Sequence, residues 1–280
     1  MRGIISEKDF EIEYYIFGQG FKIVFAFPGF NNHAESLSAL AESLGQDFKI
    51  IAVNLFFHGT SKAEDELVNM GLSIEAFRNL FESFMRLFPA EKYWLVGYSL
   101  GGRFTLKITE QFPGKIERLI LLAPDGMRFK PLYYFITHYS FGRRLFRYVV
   151  YHPGLFFSMA RLLKRFGIVD RKRFEFAMGN FDQLIKREMV YKVWLSLRHI
   201  EVKINPVKAQ IQEHKIITDL FFGRYDRIIP VKSGLRFQRK KSELISLHVL
   251  NAGHKLLREN VLKEVGKQLL YRNSTAQDRP

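Results

Sequence analysis

The sequence contains no cysteine. That absence excludes disulfides, thiolate metal sites and a cysteine nucleophile, and it is compatible with a reducing compartment. Long apolar runs are also missing: none approaches the roughly 18 residues a membrane span requires. The segment Met1–Phe10, with Arg2, Glu7, Lys8 and Asp9, does not lead into a signal-peptide apolar region. These absences predict a soluble, cytoplasmic protein. Acidic residues are the third shortage. Against 43 Lys and Arg stand only 28 Asp and Glu, a formal charge of +15 and a pI near 9.9, a balance that attracts anions. There is no internal repeat and no low-complexity tract. What the chain has in quantity is core material: 280 residues, 47% hydrophobic, enough for one large domain or one domain carrying an insertion.

The first third alternates between strand-like and helix-like segments. Phe10–Phe17 followed by Gly18-Gln19-Gly20 reads as a hairpin arm. Lys22–Phe27 and Phe48–Leu55 are nearly unbroken apolar runs, as expected of strands buried on both faces. Leu37, Leu40, Ala41 and Leu44 have helical spacing, and Phe77, Leu80, Phe81 and Phe84 mark a helix that ends near Leu87 with Ser73 as its N-cap. Tyr93–Val96 reads as a strand, Gly101–Phe112 as a helix and Arg118–Ala123 as a strand. From Gly126 to Asn205 only aromatic- and arginine-rich helical segments appear. The alternation resumes with a strand at Lys215–Phe222, a helix at about Ser233–Lys241, a strand at Ser246–Leu250 and a helix at Lys255–Tyr271, before a polar tail, Arg272–Pro280, that should fray. The predicted class is α/β: a mostly parallel, doubly wound sheet formed by residues 1–125 and 206–280, with residues 126–205 inserted as a helical cap over its carboxyl edge, where ligands bind in such sheets.

One motif carries chemistry. Gly97-Tyr98-Ser99-Leu100-Gly101 is a G-x-S-x-G sequence between a buried strand and a helix. In that context it is a sharp turn that lifts the Ser99 hydroxyl above the sheet, at a helix N-terminus that favours negative charge. Serine needs a base and the base needs an acid, and in this arrangement they follow in the order acid, then histidine. His254, in Asn251-Ala252-Gly253-His254, sits between the last strand and last helix. Asp226 follows the penultimate strand, where it would fix the histidine tautomer. A rival acid is Asp125, in Ala123-Pro124-Asp125-Gly126, a tetrapeptide that reads as a turn. An oxyanion hole requires two backbone amides. Leu100, next to the nucleophile, supplies one. Phe30, in the Pro28-Gly29-Phe30 loop, supplies the other, since Pro28 has no N–H.

At these residues the chain resembles the α/β-hydrolase superfamily, in its cap-bearing branch with a serine nucleophile. Five elements in order carry the resemblance: Pro28-Gly29-Phe30, Phe57-His58-Gly59-Thr60-Ser61, the Gly97–Gly102 turn, Gly223–Pro230 and Asn251–His254. The chain departs from the common pattern at Pro28, where histidine is frequent, at Asn54, where aspartate is frequent, and at Phe57, where glycine is frequent. The resemblance implies a hydrolase that cleaves a carboxylic ester or thioester by Ser-His-Asp chemistry, without a metal or organic cofactor. The stretch Gly97–Arg103 also resembles the nucleophile region of the menaquinone-pathway synthase, which implies as an alternative a lyase or synthase acting on an anionic substrate. A non-catalytic binding member of the fold is the third reading.

The predicted insertion concentrates the charge. Gly126–Asn205 holds 16 Lys and Arg, 5 Asp and Glu, and 17 aromatic residues. Basic clusters occur at Arg143-Arg144, Lys164-Arg165 and Arg171-Lys172-Arg173. The plainest reading is a solvated face. Two others are steering of an anionic or acyl small-molecule substrate and peripheral contact with an acidic membrane. No nucleic-acid module is recognisable, so nucleic acid is not an expected partner.

Overall fold

The computed structural model describes residues 1–167, 171–239 and 243–277. The chain forms two compact units, one of Met1–Lys62, Ile74–Arg128 and Ile200–Pro280, the other of Ala63–Ser73 and Phe129–His199.

The first unit is a sheet with flanking helices. Its strands are β1 (Arg2–Glu7), β2 (Phe10–Phe17), β3 (Lys22–Phe27), β4 (Phe48–Val53), the two-residue β5 (Lys62–Ala63), β6 (Tyr93–Tyr98), β7 (Ile116–Leu122), β8 (Ile217–Gly223) and β9 (Ile245–Leu250). Their spatial order is β1-β2-β4-β3-β6-β7-β8-β9, with β5 beside β2. The hairpin arm forms with β1, turning between Glu7 and Phe10, and not across Gly18–Gly20, since β4 lies between β2 and β3; β2 joins antiparallel to β4, and every pairing from β4 through β3, β6, β7 and β8 to β9 is parallel. All six residues of β6 are buried, as are the last five of β3, which is why both read as continuous apolar runs rather than alternating ones. The helix Ile74–Leu87 buries the four residues that its spacing singled out. Two of them, Phe81 and Phe84, set their rings edge-on to Phe25 of β3, with centroids 5.2 and 5.7 Å away.

Helix boundaries differ from expectation in three places. A helix at Ile204–Glu213 buries Val207 and Ile211 and packs on the helix Leu100–Gln111. Its Pro206 lies in the first turn, where its missing N–H has no intrahelical acceptor to lose. The helix after β8 spans Val231–Gln238 and ends at Arg239, which is extended in ψ; residues 240–241 of the expected run fall outside the described residues. The last helix runs from Glu259 to Gln277, through most of the tail expected to fray; residues 278–280 lie outside the description.

The second unit is helical, with helices at Asp65–Met70, Pro131–His138, Ser140–Tyr151, Gly154–Arg165, Arg171–Phe181 and Leu184–Ser196. The segment 63–73, which the sequence pattern assigns with residues 1–125, clusters here instead, while 126–128 and 200–205 go with the first unit. The reason is local. The short helix Asp65–Met70 packs on Leu184–Ser196, and the Leu72 N–H donates to the Ser196 carbonyl at 2.7 Å. The buried Arg198 guanidinium donates to the carbonyls of Val68 and Asn69 at 3.0 and 2.5 Å, satisfying acceptors that a helix C-terminus leaves open. Arg187, also buried, donates to Val150 and Phe181 carbonyls at 2.6 and 2.8 Å. Two arginines of this basic segment are therefore structural pins rather than solvated charges.

Candidate active site

The turn between β6 and the helix Leu100–Gln111 is the sharpest feature of the first unit. Ser99 has φ 48° and ψ −114°, a region that costs an ordinary residue on the order of 1–3 kcal/mol and persists only where surroundings over-determine it. They do so here. The Ser99 N–H donates to the Leu122 carbonyl at 3.0 Å, and the Ser99 carbonyl accepts from the Gly102 and Asp125 amides at 2.9 and 2.7 Å. A Cβ on Gly101 would press on the carbonyl oxygen of Phe27, and one on Gly97 would lie 2.7 Å from the Gly101 oxygen and the Gly102 Cα. Both positions therefore require glycine for close approach, not merely for flexibility.

Above this turn, Ser99 Oγ lies 3.2 Å from His254 Nε2, and His254 Nδ1 lies 2.7 Å from Asp226 Oδ2. Asp226 has a wholly buried side chain, and its other oxygen accepts the Ile228 and Ile229 amides at 2.8 and 2.9 Å. Those two amides and the imidazole fix the orientation of the carboxylate. The arrangement sets the tautomer: Nδ1–H donates to Asp226, which leaves Nε2 to accept the Ser99 hydroxyl. The loops carrying acid and base are laced together, since Tyr225 N–H donates to Ala252 O at 2.9 Å. Tyr98, the first variable residue of the motif, donates its hydroxyl to the His254 carbonyl at 2.8 Å and sets its ring 5.5 Å from the imidazole. Burial first, then the nearby Asp226 charge, pushes the Tyr98 phenol well above its ordinary value, so at neutral pH it remains a donor.

The loop after β3 closes the site. A Cβ on Gly29 would stand 3.0 Å from Ser99 Cβ and from the Tyr98 ring, so Pro28-Gly29-Phe30 runs against the nucleophile turn. Asn31, at φ 58°, donates its N–H to His58 Nε2 at 2.8 Å, and His58 Nδ1 donates to the Phe56 carbonyl at 2.8 Å. Phe30 lays its ring edge-on to the same imidazole, 5.6 Å away. Burial lowers His58 to about 4, against the pull of the Phe56 carbonyl. The neutral form is required, because a protonated ring could not accept the Asn31 amide.

Beneath His58 lies a polar cluster. Asn54 donates its amide to Glu13 Oε2 at 2.7 Å and accepts the Ala34 N–H at 2.7 Å. An aspartate, frequent at this place in the resembling family, could not make the first bond. Burial pushes the Glu13 carboxyl up, but hydrogen bonds from Thr60, Asn54 and Tyr15 outweigh it and hold the acid below the usual carboxylate range. Phe57, where that family often has glycine, is held at φ 63°.

The profile described as alpha/beta hydrolase fold matches residues 22–261. The chain belongs to the alpha/beta hydrolase fold family. An uncharacterised protein of Mycobacterium tuberculosis is 28% identical over 99 residues, which is 35% of this chain; the chain spans 28% of that relative's length. The uncharacterised hydrolase YugF of Bacillus subtilis is 21% identical over 229 residues, 81% of each chain. Among solved structures, a thermophilic esterase from Thermogutta terrifontis superposes with a TM-score of 0.67 at 19% identity, over 97% of this chain and 98% of the esterase.

Within this family member, Ser99, His254 and Asp226 come together, while the rival acid does not join them. Asp125 Oδ2 is 2.5 Å from Arg103 Nη2, and both side chains are largely buried. Asp125 therefore does more than turn chemistry: its amide supports the Ser99 carbonyl and its carboxylate pairs with the largely buried Arg103. The helix beginning at Leu100 opens beside Ser99, and its first amides have no intrahelical acceptors. Sequence reasoning missed Tyr98, His58 and Glu13. For His58 the signal was present in the Phe57–Ser61 segment. For Glu13, on an edge-side arm far away in sequence, there was none.

Proposed function

We propose that the protein is a serine hydrolase that cleaves a carboxylic ester or thioester through an acyl-enzyme, with Ser99 as nucleophile, His254 as base and Asp226 as the acid that orients it. The observation carrying this reading is the continuous chain from Ser99 Oγ to His254 Nε2 to a buried, doubly amide-bound Asp226. The Ser99 proton passes to Nε2 as Oγ attacks the carbonyl carbon, forming a tetrahedral oxyanion. Collapse breaks the bond to the alcohol or thiol, which leaves with the proton from Nε2. Water then repeats the sequence and frees the acid and Ser99.

The oxyanion would be met by the Leu100 and Phe30 amides. The Asn31 and Asn32 amides already donate to His58 and to the Gly29 carbonyl, which supports Phe30 as the donor from that loop. Its seating depends on a neutral His58.

Fluorophosphonate labelling read by intact mass tests the assignment. Wild type should take one adduct and Ser99→Ala none, and turnover of an ester or thioester should fall by roughly 10⁴–10⁶-fold with an unchanged melting temperature. Retained turnover in the variant would overturn the assignment. Turnover of an anionic substrate without a trappable acyl-enzyme would move it to the synthase-like reading.

A further inference from the structure

We propose that the helix Gly154–Arg165 is a docking face for an anionic lipid bilayer, bound peripherally. Of its twelve residues, Leu155, Phe156, Phe157, Met159, Ala160, Leu162 and Leu163 are apolar, yet none is buried. The helix is seated through its half-buried Phe156, whose ring lies 5.0 Å from that of Phe181. On a neighbouring face, Leu155, Met159 and Leu162, continued by Phe166, recur at spacings of four, three and four. That spacing keeps them on one stripe. They are 72%, 53%, 51% and 69% exposed, an apolar ridge about 16 Å long at the rise of an α-helix.

Charge selects the occupant. Arg161 and Arg165, both exposed, fall along one flank of the ridge at helical spacing. From Gly126 to Gly167 the sequence has eight Lys and Arg and no Asp or Glu. A second copy would bring the same positive ridge against itself. A nucleic acid would use the cations but has no place for four exposed aliphatic and aromatic side chains. An acidic bilayer uses both: apolar side chains enter the headgroup boundary while arginines hold anionic headgroups. No helix among the described residues is long and apolar enough to cross a membrane, which fits docking in the interfacial plane. The inference is independent of Ser99 chemistry.

The test is cosedimentation of the full chain with phosphatidylcholine vesicles and with vesicles containing 30 mol% phosphatidylglycerol. The anionic vesicles should bind at least 20-fold more tightly at low salt and lose most of that preference in 0.5 M salt. Replacing Arg161 and Arg165 together by Gln should weaken binding by about 25-fold, at roughly five-fold per cation. Leu162→Asp with Phe166→Asp should abolish it. Both double variants change exposed residues, and their melting temperatures should match wild type. Equal binding to both vesicle types, or anionic binding that survives the Asp substitutions, would overturn the proposal. So would lipid-free self-association that the Asp substitutions dissolve, which assigns the ridge to a second copy, or oligonucleotide binding insensitive to them.

Discussion

Two aspartate–histidine pairs bridge the ends of the same two strands. Asp226 and His254 lie just beyond the carboxyl ends of β8 and β9. Asp219 and His248 lie within those strands, and Asp219 Oδ1 is 3.2 Å from His248 Nε2. Residue types, strand origins and chain order match, yet among the described residues only the Asp226–His254 pair has a hydroxyl waiting on the far nitrogen. The surroundings make the difference. Asp226 is met by two backbone amides, neutral donors that leave its charge available to the histidine once that is protonated. Asp219 is met by a buried guanidinium, Arg118 Nε to Oδ2 at 2.8 Å, while His248 stacks on Phe221 at 4.4 Å. The first pair can hold a transient imidazolium. The second is a buried ion pair with a histidine against it. An Asp–His contact is thus a catalytic candidate only through its third member and its place at the carboxyl edge.

The largest effects should come from breaking each acid in turn. Asp226→Asn would leave the geometry nearly intact but favour the wrong tautomer, so the rate constant should fall by about 10⁴-fold, equivalent to about 5 kcal/mol in the barrier. Its melting temperature should move little. Asp219→Asn should do the opposite. It leaves the Arg118 charge buried, and destabilisation of about 3–5 kcal/mol is expected in denaturant titrations, softened where Arg118 lies 4.8 Å from the Trp94 ring centroid and donates to Leu269. The rate per folded molecule should stay near wild type. Equal rate losses in the two variants would erase the distinction.

The same contrast explains what the sequence made legible. The turn around Ser99 is over-determined by close packing, so glycine, serine and glycine had to stand at fixed places between an apolar strand and a helix. His254 and Asp226 followed from the order of strands alone. The Asp219–Arg118–His248 cluster has no such spacing: its members lie 29 and 101 residues apart and meet only because β7, β8 and β9 are neighbours in the sheet. Pairing across parallel strands leaves no local mark in the chain. Nor did the union of 63–73 with the helical unit, since it rests on an arginine bonding to carbonyls, which any residue offers. Within Gly154–Arg165, composition and period were readable, but the lack of any buried residue was not.

A third, smaller effect separates the oxyanion loop from both pairs. His58 is lowered to about 4 by burial, against about 6.5 when unfolded. Because the unfolded chain binds this proton first, the contribution is fully present above pH 6.5. It is lost progressively as pH falls through the window from 6.5 to 4, by about 3 kcal/mol in all. Chemical denaturation at stepped pH should show that slope, and His58→Gln should flatten it. Glu13, held below its ordinary value, contributes only further down, as pH falls through the acid range where its carboxylate protonates. A slope unchanged in His58→Gln would transfer the effect elsewhere.

The smallest expected effect decides the comparison from the histidine side. His248 is partly exposed, at 23% for its side chain, and its contact with Asp219 is long. Asp219 already has Arg118, so removing the imidazole leaves no buried charge alone. His248→Gln should therefore cost no more than about 1 kcal/mol, with turnover within two-fold of wild type. His254→Gln removes the proposed base and should fall to the level of Ser99→Ala with a fold equally intact, because members of one relay fail as a unit. Turnover and melting temperature measured on both variants give the reading. If His248→Gln lost activity while remaining folded, proton transfer would involve more of β9 than its final loop, and the clean division between the two pairs would fail.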